Sequence, residues 1–146
     1  MFRNLGRLSL AVGALVLLST LALFLRHWVA AFEEEFSRLV DGRHCVAVNS
    51  GTSALQLSLL TLDLQPGDEV IVPSFSFAAS ANAVRLAGGE PVFVDIDAAS
   101  FCLDPAAVKA AVGPRSVAIM PVHLYGHPAD MTGIGAIAEK HGLAVV

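Results

Sequence analysis

The 146-residue chain is poor in lysine, with only Lys109 and Lys140, and acidic overall, with nine basic against thirteen acidic residues and a formal net charge of −4. No basic stripe is available to neutralise phosphates along a polynucleotide, which argues against a nucleic-acid surface. There are only two cysteines, Cys45 and Cys102. They are far apart and lack metal-ligand spacing, which argues against a disulfide framework and reads as two buried thiols in a reducing compartment. No internal repeat or low-complexity linker is present. No phosphate-binding lysine follows a glycine-rich turn, and no G-x-G-x-x-G occurs, so neither common nucleotide-binding fingerprint applies.

Apolar residues, by contrast, are abundant at 55%. Part of the excess is the run LSLAVGALVLLSTLALFL, Leu8 to Leu25, 18 residues without a charge, preceded by Arg3 and Arg7 and followed by Arg26. At about 1.5 Å per residue, a helix of this run just reaches a hydrocarbon core of about 30 Å. It is longer than the usual apolar region of a signal peptide, and Trp28-Val29-Ala30-Ala31 is a poor cleavage site. Residues 1–28 are therefore expected to form an apolar helix that can act as a membrane segment through residues 8–25, with Trp28 at the interface. The alternatives are an extension foreign to the fold and a helix packed on a partner. Arg3 and Arg7 would hold the N-terminus inside and the remainder outside.

From residue 29 onward, helical patterns alternate with short apolar runs. Val29, Phe32, Phe36, Leu39 and Val40 fall at helical spacing, Glu34 and Arg38 form an i,i+4 pair on the other face, and Asp41-Gly42 ends the helix. Strands are expected at Cys45–Val48, Glu69–Val72, Pro91–Val94, Val117–Pro121 and Leu143–Val146. The helices expected between them are Ser53–Leu62, Ala78–Leu86, Pro105–Val112 and Met131–His141. The strands are continuously apolar rather than alternating, which indicates burial on both faces and a parallel sheet wrapped by helices. The last strand has no following helix, so the chain is expected to be a truncated piece of a larger domain.

The stretch from Val48 to Val84 concentrates the chemistry. Asn49-Ser50-Gly51-Thr52-Ser53 lies between a strand and a helix. Gly51 lets a ligand approach the backbone, and Thr52 and Ser53 add hydroxyls to the unpaired N–H groups of the helix start, where the dipole favours an anion. The same pattern also serves as a helix N-cap with no ligand. Phe75 and Phe77 follow the strand EVIVP and are either strand-end core or a flat surface for a ring. Ser74 and Ser76 are expected to bond the loop. Asp95-x-Asp97 has the form of an acidic pair that holds a divalent cation, which supports a second reading, a membrane-anchored glycosyltransferase-like α/β domain. His123, Tyr125 and His127 form a polar cluster. Gly126 and Pro128 break any helix there, so His123 and His127 share no zinc-binding face.

Taken in order, VAAFEEEFSRLV, VNSGTSALQLSL, LQPGDEVIVPSFSFAASANAV, GGEPVFVDIDAASFCLDP, AIMPVHLYGHPADM and AIAEKHGLAVV resemble the sugar aminotransferases of the DegT/StrS type. These are pyridoxal-phosphate enzymes of fold type I, and the match covers Val29 to Val146. The resemblance implies an α/β, three-layer parallel-sheet large domain, truncated and carrying an extra N-terminal apolar helix. Residues 29–146 would be the N-terminal part of that domain. It implies that Gly51 and Thr52 bind the cofactor phosphate and that Phe77 stacks on the pyridine ring. Asp95 and Asp97 become loop and turn residues.

The implied activity moves an amino group, from glutamate as donor, onto a keto-sugar nucleotide for polysaccharide biosynthesis, in a cytoplasmic homodimer. A related branch of the family, a sugar dehydratase, replaces the lysine. Two central groups of the family are absent. The cofactor-nitrogen acid follows the strand that GLAVV resembles, and the Schiff-base lysine comes later still. Lys109 and Lys140 sit on helices that face solvent and cannot replace it. The 146 residues alone are therefore expected to be inactive, and a noncatalytic remnant is the remaining alternative. The outward orientation set by Arg3 and Arg7 conflicts with a cytosolic cofactor. The conflict is resolved in favour of a cytoplasmic catalytic domain, membrane-associated at most through residues 8–25.

Overall fold

Runs such as EVIVP need partners on both sides, and the fold provides them. The computed structural model describes the backbone of residues 2–146 and the side chains of residues 15–146. The part of the apolar run from Leu8 to Ala14, with Arg3 and Arg7, therefore lies outside the described side chains. The chain falls into two compact units, one ending at Val48 and the other spanning Asn49–Val146.

The first unit is built on one helix, α1 (Phe2–Leu39). It continues unbroken through residues 28 and 29, so the backbone shows no division there. Leu15–Leu39 is long and apolar enough to cross a membrane by length and composition. Trp28 packs edge-on against Phe24, and Phe32 stacks on Phe36, each one turn along the helix. The helix ends as expected at Asp41-Gly42. Both residues take positive φ, and the Gly42 N–H donates to Ser37 O at 2.9 Å, the type of closure glycine permits without strain. The following segment is tied back when the Ala47 N–H donates to Glu33 Oε1 at 2.7 Å. The strand expected at Cys45–Val48 does not form. A strand is stabilised by its ladder, and no described strand pairs with this segment.

The second unit contains α2 (Gly51–Leu60), β1 (Glu69–Pro73), α3 (Ala79–Leu86), β2 (Glu90–Val94) and α4 (Pro105–Ala111). These are followed by β3 (Ser116–Ile119), a single 3-10 turn (Leu124–Gly126), α5 (Met131–His141) and β4 (Ala144–Val145). The strands form one parallel sheet in the order β2-β1-β3-β4. Alternation along β1 divides the core. Val70 and Val72 face Leu59 of α2 and Ala83 and Val84 of α3, while Ile71 faces Val108 of α4 and Ile134 of α5. The result is three layers, helix on sheet on helix, with the central positions of β1 fully buried. The continuous apolar strands of the sequence are thus explained by two covered faces.

Local chemistry sets the helix starts. Asp104 accepts from Ala106 N–H at 2.9 Å with Pro105 in the first turn, and Asp130 accepts from Gly133 N–H at 2.9 Å. From β1 the chain moves outward to β2, then returns past β1 to β3. The strand order therefore reverses between β1 and β3, and a crevice opens outside their carboxyl ends.

Candidate functional site

That crevice is a cleft of about 490 Å³, within the usual range for small-ligand sites. Its walls come from three places: the first turn of α2, the loop after β1 that leads into α3, and the segment Met120–Leu124 after β3. The Met120 N–H donates to Ile71 O at 2.8 Å, which ties the end of β3 to the centre of β1.

At the α2 end, Ser50 is the N-cap. Its Oγ accepts from the Ser53 N–H at 3.1 Å. Ser53 Oγ lies 2.9 Å from Asn49 Oδ1, an oxygen that only accepts, so the Ser53 hydroxyl hydrogen is directed there. The Ser50 hydroxyl, 3.0 Å from Ser53 Oγ, then supplies the hydrogen of that contact. This corrects the sequence reading in one detail, because the Ser53 hydroxyl is committed within the loop and is not offered to a ligand. Among the described residues, the N–H groups of Gly51 and Thr52 and the Thr52 hydroxyl meet no acceptor. A Cβ placed on Gly51 would find no atom within 4 Å, so its open side is empty space. The first turn of α2 holds no acidic residue, and the helix dipole there is unopposed.

The loop after β1 supplies the apolar surface. Phe77 lines the cleft and is 79% exposed, whereas Phe75 pairs with Phe101 at a ring distance of 6.1 Å and does not line it. Ser76 also lines the cleft. Its Oγ is 3.1 Å from the Oγ of Ser80, a buried polar residue on α3. Ser74 lies outside the lining; its N–H donates to Val94 O at 2.8 Å.

His123 lines the cleft, while Tyr125 and His127 do not. Tyr125 is exposed and carries a positive φ of 51°. The His127 carbonyl accepts from Cys102 Sγ at 3.5 Å. Sequence reasoning missed Met120, Val122, Leu124 and Ser80 as lining residues. The available signal was the switch in strand order, which points to the residues just after β1 and β3.

Asp95 and Asp97 stand elsewhere, in the loop after β2. Asp97 Oδ1 accepts from the N–H groups of Ala99 and Ser100 at 3.1 and 2.8 Å. The Ser100 backbone and hydroxyl hold the Asp97 carboxyl below the ordinary carboxylate range. Asp95 Oδ1 accepts from the Ile96 N–H. Among the described residues, no three His, Cys, Asp or Glu side chains are grouped closely enough to hold a metal ion. Lys109 and Lys140 are exposed on α4 and α5, which cover the opposite face of the sheet from α2 and α3.

The cleft thus offers two backbone donors and a hydroxyl at one end, a ring face on one wall and no carboxylate in its lining. This donor set fits a flat aromatic group bearing a phosphate.

Comparison with known proteins agrees in kind. The chain is 54% identical over 116 residues to the erythromycin biosynthesis sensory transduction protein EryC1 of Saccharopolyspora erythraea, covering 80% of this chain and 32% of that protein. It is 53% identical over 116 residues to the UDP-N-acetyl-3-dehydro-alpha-D-glucosamine 3-aminotransferase of Acidithiobacillus ferrooxidans, covering 80% of this chain and 31% of that protein. The crystal structure of NtdA from Bacillus subtilis with bound cofactor PMP superposes with a TM-score of 0.77 at 44% identity, covering 81% of this chain and 27% of that one. The chain therefore spans about a third of the length of these relatives. The pattern of the DegT/DnrJ/EryC1/StrS aminotransferases matches residues 21–146, and the chain belongs to that family.

Proposed function

We propose that residues 29–146 are the N-terminal part of the large domain of a pyridoxal-phosphate-dependent aminotransferase. The complete enzyme transfers an amino group from an amino-acid donor, glutamate, to a keto-sugar nucleotide, and works as a cytoplasmic homodimer. Residues 1–28 carry the apolar run, which is foreign to this fold ahead of residue 21, where the family match begins, with membrane association confined to residues 8–25. One observation carries the cofactor assignment: the free N–H groups of Gly51 and Thr52 and the exposed ring of Phe77 line a single cleft at the switch point of the sheet.

Pyridoxal phosphate, the cofactor of the family's aminotransferases, supplies an electron sink for the charge released at the reacting carbon. In this chain Gly51 and Thr52 hold the phosphate by backbone N–H donation, and the Thr52 hydroxyl adds a third donor. The α2 dipole favours the dianion by about 0.3–1 kcal/mol, and each hydrogen bond to a charged oxygen contributes about 1.5–3 kcal/mol. Phe77 fixes the plane of the ring. Met120 and Leu124 add apolar surface to the wall of the cleft. Neither Lys109 nor Lys140 reaches this side of the sheet, so the 146 residues by themselves bind the cofactor without transferring an amino group.

The test is a fluorescence titration of the purified chain with pyridoxal phosphate, pyridoxal and inorganic phosphate. Pyridoxal phosphate is expected to bind at least about tenfold more tightly than pyridoxal, the equivalent of one charge-assisted hydrogen bond. Inorganic phosphate should compete, and Thr52→Val should weaken both phosphate ligands. Equal affinity for pyridoxal and its phosphate would overturn the assignment.

A further inference from the structure

Beyond the phosphate end and the ring wall, the cleft holds one imidazole with a fixed tautomer. His123 lies in the cleft lining after β3, and its Nδ1 accepts the Ala129 N–H at 3.0 Å. A ring nitrogen that accepts a hydrogen bond carries no proton, so the neutral ring holds its proton on Nε2. The donor to Nδ1 is itself well held. Ala129 is 5% exposed, the next residue, Asp130, caps α5, and the His127 N–H donates to Leu124 O at 2.9 Å. The loop thus takes up the accepting nitrogen of His123 and leaves a single ring donor, Nε2–H. The other side-chain donors on this side of the cleft, Ser76 and Ser80, are paired with each other.

We infer that His123 is a further ligand-binding residue: its Nε2–H donates to an oxygen on the ring of the phosphate-bearing ligand, which in pyridoxal phosphate is the phenolate oxygen. The inference rests on the cofactor reading above. The choice of oxygen follows from polarity. A protonated pyridine nitrogen is a donor and needs an acceptor, which the Nε2–H group cannot supply, whereas the phenolate oxygen is an acceptor remote from the phosphate and, unlike the neutral aldehyde oxygen, carries the charge that makes the stronger hydrogen bond. His123 therefore acts on the ring independently of the phosphate site at α2.

The two ring nitrogens can be separated by substitution. His123→Asn retains an acceptor near the Nδ1 position and lacks the Nε2 donor. His123→Gln places an amide donor near the Nε2 position and lacks the Nδ1 acceptor. The 146-residue chain and both variants would be titrated with pyridoxal phosphate, 3-deoxypyridoxal phosphate and inorganic phosphate, with thermal unfolding recorded alongside.

The parent chain is expected to prefer pyridoxal phosphate over the 3-deoxy compound by about tenfold, as for one hydrogen bond to a charged oxygen. His123→Asn should lose that preference while keeping its unfolding midpoint and its affinity for inorganic phosphate. His123→Gln should retain part of the preference with a lowered midpoint. The inference is overturned if His123→Asn keeps the preference, or if only His123→Gln loses it, since the imidazole would then serve only to tie the loop. Either result leaves phosphate-dependent binding, and with it the cofactor reading, intact. Absence of phosphate-dependent binding in the parent chain overturns both.

Discussion

Replacing Phe77 by alanine removes the ring face from the cleft while leaving the core untouched, because that side chain is 79% exposed. A planar ligand stacked there would cover about 50–60 Å² of the ring, and at about 25 cal/mol per Å² this contributes about 1.3 kcal/mol. Aromatic pairing adds about 0.5–1.5 kcal/mol beyond the area term. The sum, about 2–3 kcal/mol, corresponds to a loss of about 30–150-fold in affinity for pyridoxal phosphate. Phe75 is the matched control. It sits two residues earlier, 48% exposed, with its ring 6.1 Å from that of Phe101. Phe75→Ala should cost about 1 kcal/mol of stability through this pair, lowering the unfolding midpoint by about 4–8 °C for a unit of this size, and leave affinity nearly unchanged. Fluorescence titration and thermal unfolding of both variants check the crossed pattern. A greater affinity loss at Phe75, or equal losses at the two positions, would refute the assignment of the ring wall to Phe77.

Borohydride treatment of the chain with pyridoxal phosphate should label no single lysine, and Lys109→Arg with Lys140→Arg should bind the cofactor like the parent; mass spectrometry showing one uniquely modified lysine would contradict this. Deleting residues 1–27 should raise solubility and leave the unfolding midpoint of the second unit unchanged, as measured by fractionation and calorimetry. If protease added outside the cell digests residues 29–146 of the full chain, the cytoplasmic placement is wrong. The Asp97 carboxyl titrates lower in the folded than in the unfolded chain. Its contribution to the 97–102 turn is therefore present above the unfolded value of about 3.9 and disappears as pH falls through the folded one. Acid unfolding of Asp97→Asn should accordingly show a flatter pH dependence below about pH 4 than the parent, and identical profiles would remove this role.

Much of the fold was legible because its causes are local. Uninterrupted apolar runs at β1 and β3 signal two covered faces, Asp104-Pro105 and Asp130 mark helix starts, and Asp41-Gly42 marks a stop. The order of short motifs pointed to the family. A spacing of two would place Phe75 and Phe77 on one face of a strand, and it is the bent loop after β1 that sends Phe77 to the cleft and Phe75 to Phe101. Other features needed the assembled sheet. Cys45–Val48 has the composition of a strand, but pairing depends on a neighbour that composition does not reveal. The hydroxyl of Ser53 looked available until Asn49 and Ser50 were seen to engage it. His123 gained a defined tautomer only from a backbone N–H six residues later. Above all, the cleft joins the start of α2 to the residues after β3, about seventy positions apart in the chain. The pattern of each segment determines which groups it exposes. Which of those groups share one cavity is decided by the strand order, through the reversal between β1 and β3.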